Sequence, residues 1–324
     1  MNPRAHGWAG MRWAGWALVL AGWGLIKGAS AQSITFIVPF SAGSGPDGVV
    51  RALAHEVSVL SGRTAIVDNR PGASSVLAAQ AVARARPDGA TVLLTGNVAF
   101  TGNPHVMKRL PYDPVADFTP VTALTRGPMV LYVNPRKLPV AGVLELLQAL
   151  QRDPGRYSYG YTSITSRLPA EVLQRAAGLK LVGVPYRSGS AAVPDLIGGR
   201  IDLLFTDFSA WPHVLGGRLR AIAVTDAQRS PYAPDLPTFA EAGMAQMEIG
   251  FWLAAYLPAR AAPEAVGQLQ SWLARAMKVA PVQAELRMSG TTEFLLPPRA
   301  LADHQARESL IWGRIIYAAG IEPE

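Results

Sequence analysis

The sequence predicts an α/β protein of two similar lobes, joined by two crossover strands with a ligand cleft between them. Three observations lead there. After residue 32, short β-branched runs alternate with longer Ala/Leu-rich runs, the pattern of strands covered by helices. The alternation falls into two successive series that divide near residue 128. A late apolar run, Phe251–Tyr256, follows the second series and suits a strand returning the chain to the first lobe.

The first 31 residues stand apart from this pattern. They hold Arg4, Arg12 and Lys27 but no acid, an apolar stretch from Trp13 to Ile26, and then Ala29-Ser30-Ala31. A charged start, a short apolar middle and a small-residue end are the marks of a secretory signal. The apolar stretch falls short of the roughly 20 residues needed to span a bilayer. Cleavage is expected after Ala31, leaving a periplasmic chain that begins at Gln32.

In the first series, Ile34–Val38 reads as a strand ended by Pro39. A helix over about 47–60 follows, with Val50, Leu53, Ala54 and Val57 on one face. Next come a strand at Thr64–Val67, a helix over about 74–84 and a turn at Pro87-Asp88-Gly89. Thr91–Leu94, Phe118–Leu124 and Met129–Val133 read as further strands. The second series has helices at Val143–Gln151, Pro169–Ala177 and Ala191–Ile197. Its strands are Tyr157–Tyr159, Val182–Val184, Ile201–Phe205 and Ala221–Val224. Helices over about 263–279, 281–289 and 298–318 close the chain. Lobe 1 is therefore expected to hold residues 32–127 and 252–324, and lobe 2 residues 128–251. Ligands of open α/β sheets bind beyond the carboxyl ends of the strands, which here would face the cleft.

Composition narrows the function. Hydrophobic residues make up 49% and charged residues 16%, as in an ordinary globular protein. The net charge of +7 falls to +4 once Arg4, Arg12 and Lys27 leave with the signal. No Lys/Arg stripe marks a nucleic-acid surface, and the small positive excess is compatible with an anionic ligand. There is no cysteine, so disulfides, thiolate metal sites and lipidation at a cysteine are excluded. His55, His105, His213 and His304 have no metal-ligand spacing, and neither G-x-S-x-G nor H-E-x-x-H occurs. No enzyme, cofactor or metal is expected, although a triad is recognised by geometry rather than spacing.

Gly43-Ser44-Gly45-Pro46-Asp47-Gly48 is a literal G-x-G-x-x-G, and Asp68 stands 20 positions beyond Gly48, as in a dinucleotide site. Two details oppose that reading. Pro39 and Phe40 separate the strand from the glycines, and Asp47 would repel a pyrophosphate. The loop suits a carboxylate cradle better, because Gly and Ser let backbone N–H groups reach an anion at a helix N-terminus. Each helix end contributes only ~0.3–1 kcal/mol, so several groups must converge. A second candidate is the hydroxyl-rich segment from Tyr159 to Arg167, whose guanidinium suits bidentate carboxylate contact. Asn97 and Asp207, each after a strand, complete the candidates. Asp207 is read as either a hydrogen-bond acceptor for ligand or hinge, or a helix cap.

From Ile34 to Ile321 the chain resembles the Bug-type receptors of the tripartite tricarboxylate transporter family. The markers include Val38-Pro39-Phe40-Ser41-Ala42-Gly43 with Asp47, Asp68-Asn69-Arg70-Pro71-Gly72-Ala73 and Leu110-Pro111-Tyr112-Asp113-Pro114. Val184-Pro185-Tyr186-Arg187, Asp195-Leu196-Ile197-Gly198-Gly199 and Pro234-Asp235-Leu236-Pro237-Thr238 continue them in order. The resemblance implies a type II periplasmic-binding-protein fold, expected as a monomer, that closes on a small organic carboxylate. It also implies that Phe40, Ser41, Ala42 and Gly43 grip the ligand from one lobe. Tyr161, Thr162, Ser163, Thr165 and Ser166 would grip it from the other. The ligand would pass to a two-subunit permease driven by an ion gradient. A membrane sensor kinase is the alternative partner, and a secreted enzyme the more distant alternative function. Three departures bear on the ligand. Ser44 replaces a glycine, Asn97 is followed by Val98, Ala99 and Phe100, and Tyr161 stands where a small residue is common. With Phe100 and Tyr161 facing the cleft, an aromatic or partly apolar monocarboxylate is expected.

Overall fold

The computed structural model describes residues 33–324, so the expected signal segment and the expected cleavage after Ala31 lie outside the described residues. The first sheet opens with β1 (Ile34–Val38), α1 (Gly45–Ser61), β2 (Ala65–Asn69), α2 (Val76–Ala83), β3 (Thr91–Gly96), the short α3 (Asn103–Val106) and β4 (Phe118–Pro128). The chain then builds β5 (Val130–Val133), α4 (Val143–Arg152), β6 (Ser158–Tyr161), α5 (Ile164–Ala177) and β7 (Val182–Pro185). It goes on through α6 (Gly189–Gly198), β8 (Leu203–Thr206), α7 (Trp211–Leu215) and β9 (Arg220–Val224). It ends with β10 (Gly250–Pro258), α8 (Pro263–Ala276), α9 (Ala280–Ser289), β11 (Thr292–Leu296) and α10 (Pro298–Ala318).

Two mixed sheets result, ordered β11-β4-β10-β3-β1-β2 and β7-β6-β8-β5-β9. In the first, β1 pairs in parallel with β2 and β3, while β10 runs antiparallel to β3 and β4. In the second, β6 pairs in parallel with β7 and β8, and β5 runs antiparallel to β8 and β9. Each sheet is therefore apolar on both faces. One face of the first packs Phe36 and Val38 on Leu53, Leu273 and Leu286, and the other packs Leu93 and Trp252 on Val82 and Leu301. The second sheet places Leu131 and Phe205 under Leu146 and Leu173, and Tyr132 and Leu204 over Leu196 and Phe208.

Local sequence explains most boundaries. α1 starts with Pro46 in its first turn and buries Val49, Val50, Leu53 and Val57 at helical spacing. It stops at Gly62, whose φ of 67° allows its N–H to reach the Ser58 carbonyl. α5 departs from expectation, beginning at Ile164 rather than Pro169. Pro169 lies within the helix, where its missing N–H leaves the Thr165 carbonyl without its helical donor. The edge strand β11 was not anticipated; it is half-buried and pairs irregularly with β4 alone.

The chain passes between sheets beside Met129 and returns at Ile249. Thr225, 1% exposed, joins both crossings. Its N–H donates to Met129 O (2.9 Å) and its hydroxyl to Ile249 O (2.7 Å), while Met129 N–H donates to its hydroxyl (2.9 Å). Gly127 and Gly250 lie so close here that a Cβ on Gly250 would sit 3.1 Å from the Gly127 carbonyl. Among the described residues, no helix is long and apolar enough to cross a membrane.

Candidate functional site: a cleft between the two sheets

A cavity of about 1280 Å³ separates the two halves, lined from both. The strand ends of β1 and β3 supply one wall and those of β6 and β8 the other, as open α/β sheets require.

On the first wall, Phe40, Ser41, Gly43 and Ser44 border the cleft, whereas Ala42 is exposed and absent from its lining. A carboxylate already organises this loop from within. Asp47 accepts from Gly43 N–H (2.8 Å), Arg51 Nε (2.8 Å) and Asn69 Nδ2 (2.7 Å). Burial alone would raise the Asp47 pKa, but the bonds from Arg51, Asn69 and Gly43 bring it below the ordinary value. The Gly43 N–H is thus turned toward Asp47 rather than toward a ligand. Ser44 Oγ, by contrast, is shielded from solvent and has no hydrogen-bond partner among the described residues.

On the second wall, Tyr161, Thr162, Ser163, Thr165, Ser166 and Arg167 all border the cleft. Ser166 Oγ accepts from Thr162 N–H (2.9 Å) and Ser163 N–H (3.3 Å), tying the loop to the first turn of α5. The next two N–H groups, of Ile164 and Thr165, have no partner among the described residues, as the start of a helix leaves them. Arg167 follows within the same turn. Its Nε donates to Glu171 (3.1 Å), its guanidinium lies over the Tyr161 ring at 5.5 Å, and its Nη1 is 3.7 Å from Glu324. Burial works against the Arg167 charge, yet Glu171 outweighs it and raises the pKa.

Two further candidates have structural duties as well. Asn97 borders the cleft but is 1% exposed, and its amide donates to the Gly250 carbonyl at 3.1 Å. Asp207 Oδ1 caps the turn that follows it, accepting from Ser209 N–H and Ser209 Oγ. Its other oxygen points across the cleft toward the start of α1, where a Cβ on Gly45 would lie 3.4 Å away. This carboxyl is half-buried at the cleft wall, and burial raises its pKa against the pull of the Ser209 bonds.

Phe100 is a correction. The segment Val98–Gly102 forms a π-helical turn that carries the ring into the core rather than the cleft. There it is 1% exposed, stacked on Tyr256 at 4.1 Å and edge-on to Phe118 at 5.1 Å. The cleft's apolar surface comes from Phe40, Val98, Met107, Ile164 and Phe251 instead.

The model of the tripartite tricarboxylate transporter family receptor matches residues 49–321. The chain belongs to that family. BugT of Bordetella pertussis is 29% identical to the receptor over 297 residues, covering 90% of each chain. The solved structure of the periplasmic binding protein BugD superposes with a TM-score of 0.84 at 28% identity, covering 90% of the receptor and 99% of BugD. The R. palustris protein Rpa4515, solved with adipate, gives a TM-score of 0.86 at 30% identity, covering 90% and 98%. The receptor thus has the two-lobe periplasmic-binding-protein fold expected of it.

One wall of the receptor's cleft escaped sequence reasoning. Gly72, Ala73, Ser74 and Ser75 line the cleft, with left-handed φ at Ala73 (45°), Ser74 (49°) and Ser75 (72°). Such backbone costs on the order of 1 kcal/mol or more per residue and must be held by its surroundings. Asn103 does so, donating to the Ser74 carbonyl at 2.8 Å. The only sequence signal was Pro71-Gly72, which marks a turn but not its direction.

Proposed function

We propose that this receptor works in the periplasm, closing on a small organic carboxylate with a partly apolar body and delivering it to an ion-gradient-driven two-subunit permease. The observation that carries the reading is the start of α5. Two unpartnered N–H groups, Ile164 and Thr165, stand there beside Arg167, and Ser41 and Ser44 belong to the opposite wall of the same cleft. A helix N-terminus with a nearby guanidinium is a carboxylate site. The remaining lining supports a ligand that is not wholly polar, since Phe40, Met107 and Phe251 border the same space. Adipate in the R. palustris protein, a carboxylate with a hydrocarbon chain, agrees with this class. An aromatic wall made by Phe100 plays no part.

Calorimetry on the mature chain with adipate, benzoate and citrate tests the reading. Adipate or benzoate should bind more tightly than citrate, because a further carboxylate buried without a partner costs several kcal/mol after relaxation. Arg167→Gln should weaken the tightest acid by about tenfold, the loss of one charged hydrogen bond. Tightest binding by citrate would overturn the choice of ligand class, and unchanged affinity in the Arg167 variant would overturn the site.

A further inference from the structure

A second cavity, of about 500 Å³, lies away from the cleft, between β4, β11 and α10. Arg126 of β4 and Arg307 of α10 both line it, and both are exposed. Neither has an ion-pair partner among the described residues; Arg126 rests over the Phe294 ring at 5.1 Å. Between them sits His304, held edge-on by Phe294 at 5.1 Å and by Trp252 at 5.7 Å. Its Nε2 is shut off from solvent and has no hydrogen-bond partner among the described residues, since Glu308 Oε1, at 3.8 Å, is too distant to accept. Burial, then Arg307, then Arg126 hold the His304 pKa below its ordinary value, so both guanidiniums act on this ring. Glu308 is engaged elsewhere, accepting from Trp252 Nε1 at 2.6 Å.

Two guanidiniums without ion-pair partners among the described residues, with His304 between them, give one concavity a positive potential that Asp303 offsets only in part. We propose that Arg126 and Arg307 form a second anion site, distinct from the cleft, which takes a small organic monocarboxylate. The forked N–H groups of arginine match the two oxygens of a carboxylate. Phe294, Leu296 and Ala300 provide an apolar floor for a short hydrocarbon. Asp303, also in the lining, and Glu308 behind His304 offset part of the positive charge, which disfavours a multiply charged anion. The position gives such an anion a mechanical consequence. Arg126 lies at the end of β4 beside the crossing into the second sheet, in register with Trp252 of β10 and Thr292 of β11. A carboxylate bridging Arg126 to Arg307 therefore ties the strand entering the hinge to α10, and Trp252 stands between this site and the cleft it also borders.

The test is histidine-ring NMR on the mature chain, with His304 assigned by its loss in His304→Asn. Sodium propionate is titrated against sodium chloride of equal ionic strength. Propionate should shift the His304 resonance saturably and raise its pKa, because an anion between the guanidiniums removes the field that opposes its protonation. Chloride should not reproduce that curve. Arg126→Gln and Arg307→Gln should each weaken the propionate response by about tenfold, with an unchanged melting temperature. Arg167→Gln, in the cleft, should leave the response intact and so separates the two sites. Should Arg126→Gln unfold with the loss of its Phe294 contact, Arg307→Lys decides. That variant keeps the charge but loses the fork, and must weaken propionate while retaining the fold. An equal response to chloride, or a response that survives both arginine substitutions, would overturn the proposal.

Discussion

The two rims of the cleft are built on one plan and completed with different chemistry. In each, a parallel strand ends, a short loop follows, and a helix begins with its N-terminus toward the cleft. In the first rim the loop is held by the buried carboxylate of Asp47, whose side chain is 2% exposed. It draws in Gly43 N–H, Asn69 and Arg51. In the second rim the same role falls to a neutral hydroxyl, Ser166, which accepts from Thr162 and Ser163 N–H. The contrast teaches where an anionic ligand can be gripped. A rim that already contains a negative charge offers a ligand hydroxyls and apolar surface, here Ser41, Ser44 and Phe40. A rim organised by a hydroxyl keeps the positive end of its helix available. The proposed carboxylate grip accordingly rests on α5, with α1 supplying shape.

The largest effect expected comes from Phe100, which follows β3 but packs into the core away from both rims. Phe100→Ala should cost about 3–5 kcal/mol, as large-to-small changes of buried aromatics do. Urea unfolding would measure it, and the order of ligand affinities should not change. A changed order with little loss of stability would return Phe100 to the cleft and spoil the contrast between rim and core.

Asp47→Ala comes next. It strands the part-buried donors at Gly43 and Asn69 and should cost about 1–2 kcal/mol, moderated by the half-exposed Arg51. The sign with pH follows from its lowered pKa. The Asp47 contribution is fully present above the unfolded carboxylate range, near pH 4, and is lost as pH falls through the lower folded value. Stability curves of parent and variant should therefore converge in acid. Curves that stay parallel down to pH 2 would show that the first rim does not depend on this charge.

Ser166→Ala has the smallest effect on stability, roughly 1 kcal/mol, and a larger relative effect on ligand. Releasing Thr162 and Ser163 N–H loosens the turn that aims α5, so carboxylate affinity should fall while Asp47→Ala alters it less. The reverse order in calorimetry would place the grip on the first rim.

Much of the fold was legible because its signals are local. Ile34–Val38 and Phe251–Tyr256 announce strands by composition, and the spacing of Val50, Leu53 and Val57 announces a helix face whatever it packs against. Segments that take their structure from neighbours were less legible. β11 exists as a strand because β4 offers it an edge, and α5 begins five residues early because the Ser166 hydroxyl fastens its first turn despite Pro169.

The amino-acid sequence by itself determined the α/β alternation, the return of the chain late in its length, and the identity of most of the loops that border the cleft. All three depend on residue types close together along the chain. Tertiary structure alone decided which atoms in those loops remain free. Gly43 N–H is engaged because Asn69 of β2 holds the Asp47 carboxylate in place to accept from it, and Ser44 Oγ is left without a partner among the described residues. Phe100 leaves the cleft because Tyr256 and Phe118, distant in sequence, offer a stacking surface that no local pattern records. A polar or aromatic side chain makes its best contact with whatever the fold brings within reach, and that neighbour is set by the topology of the sheets rather than by the residues beside it.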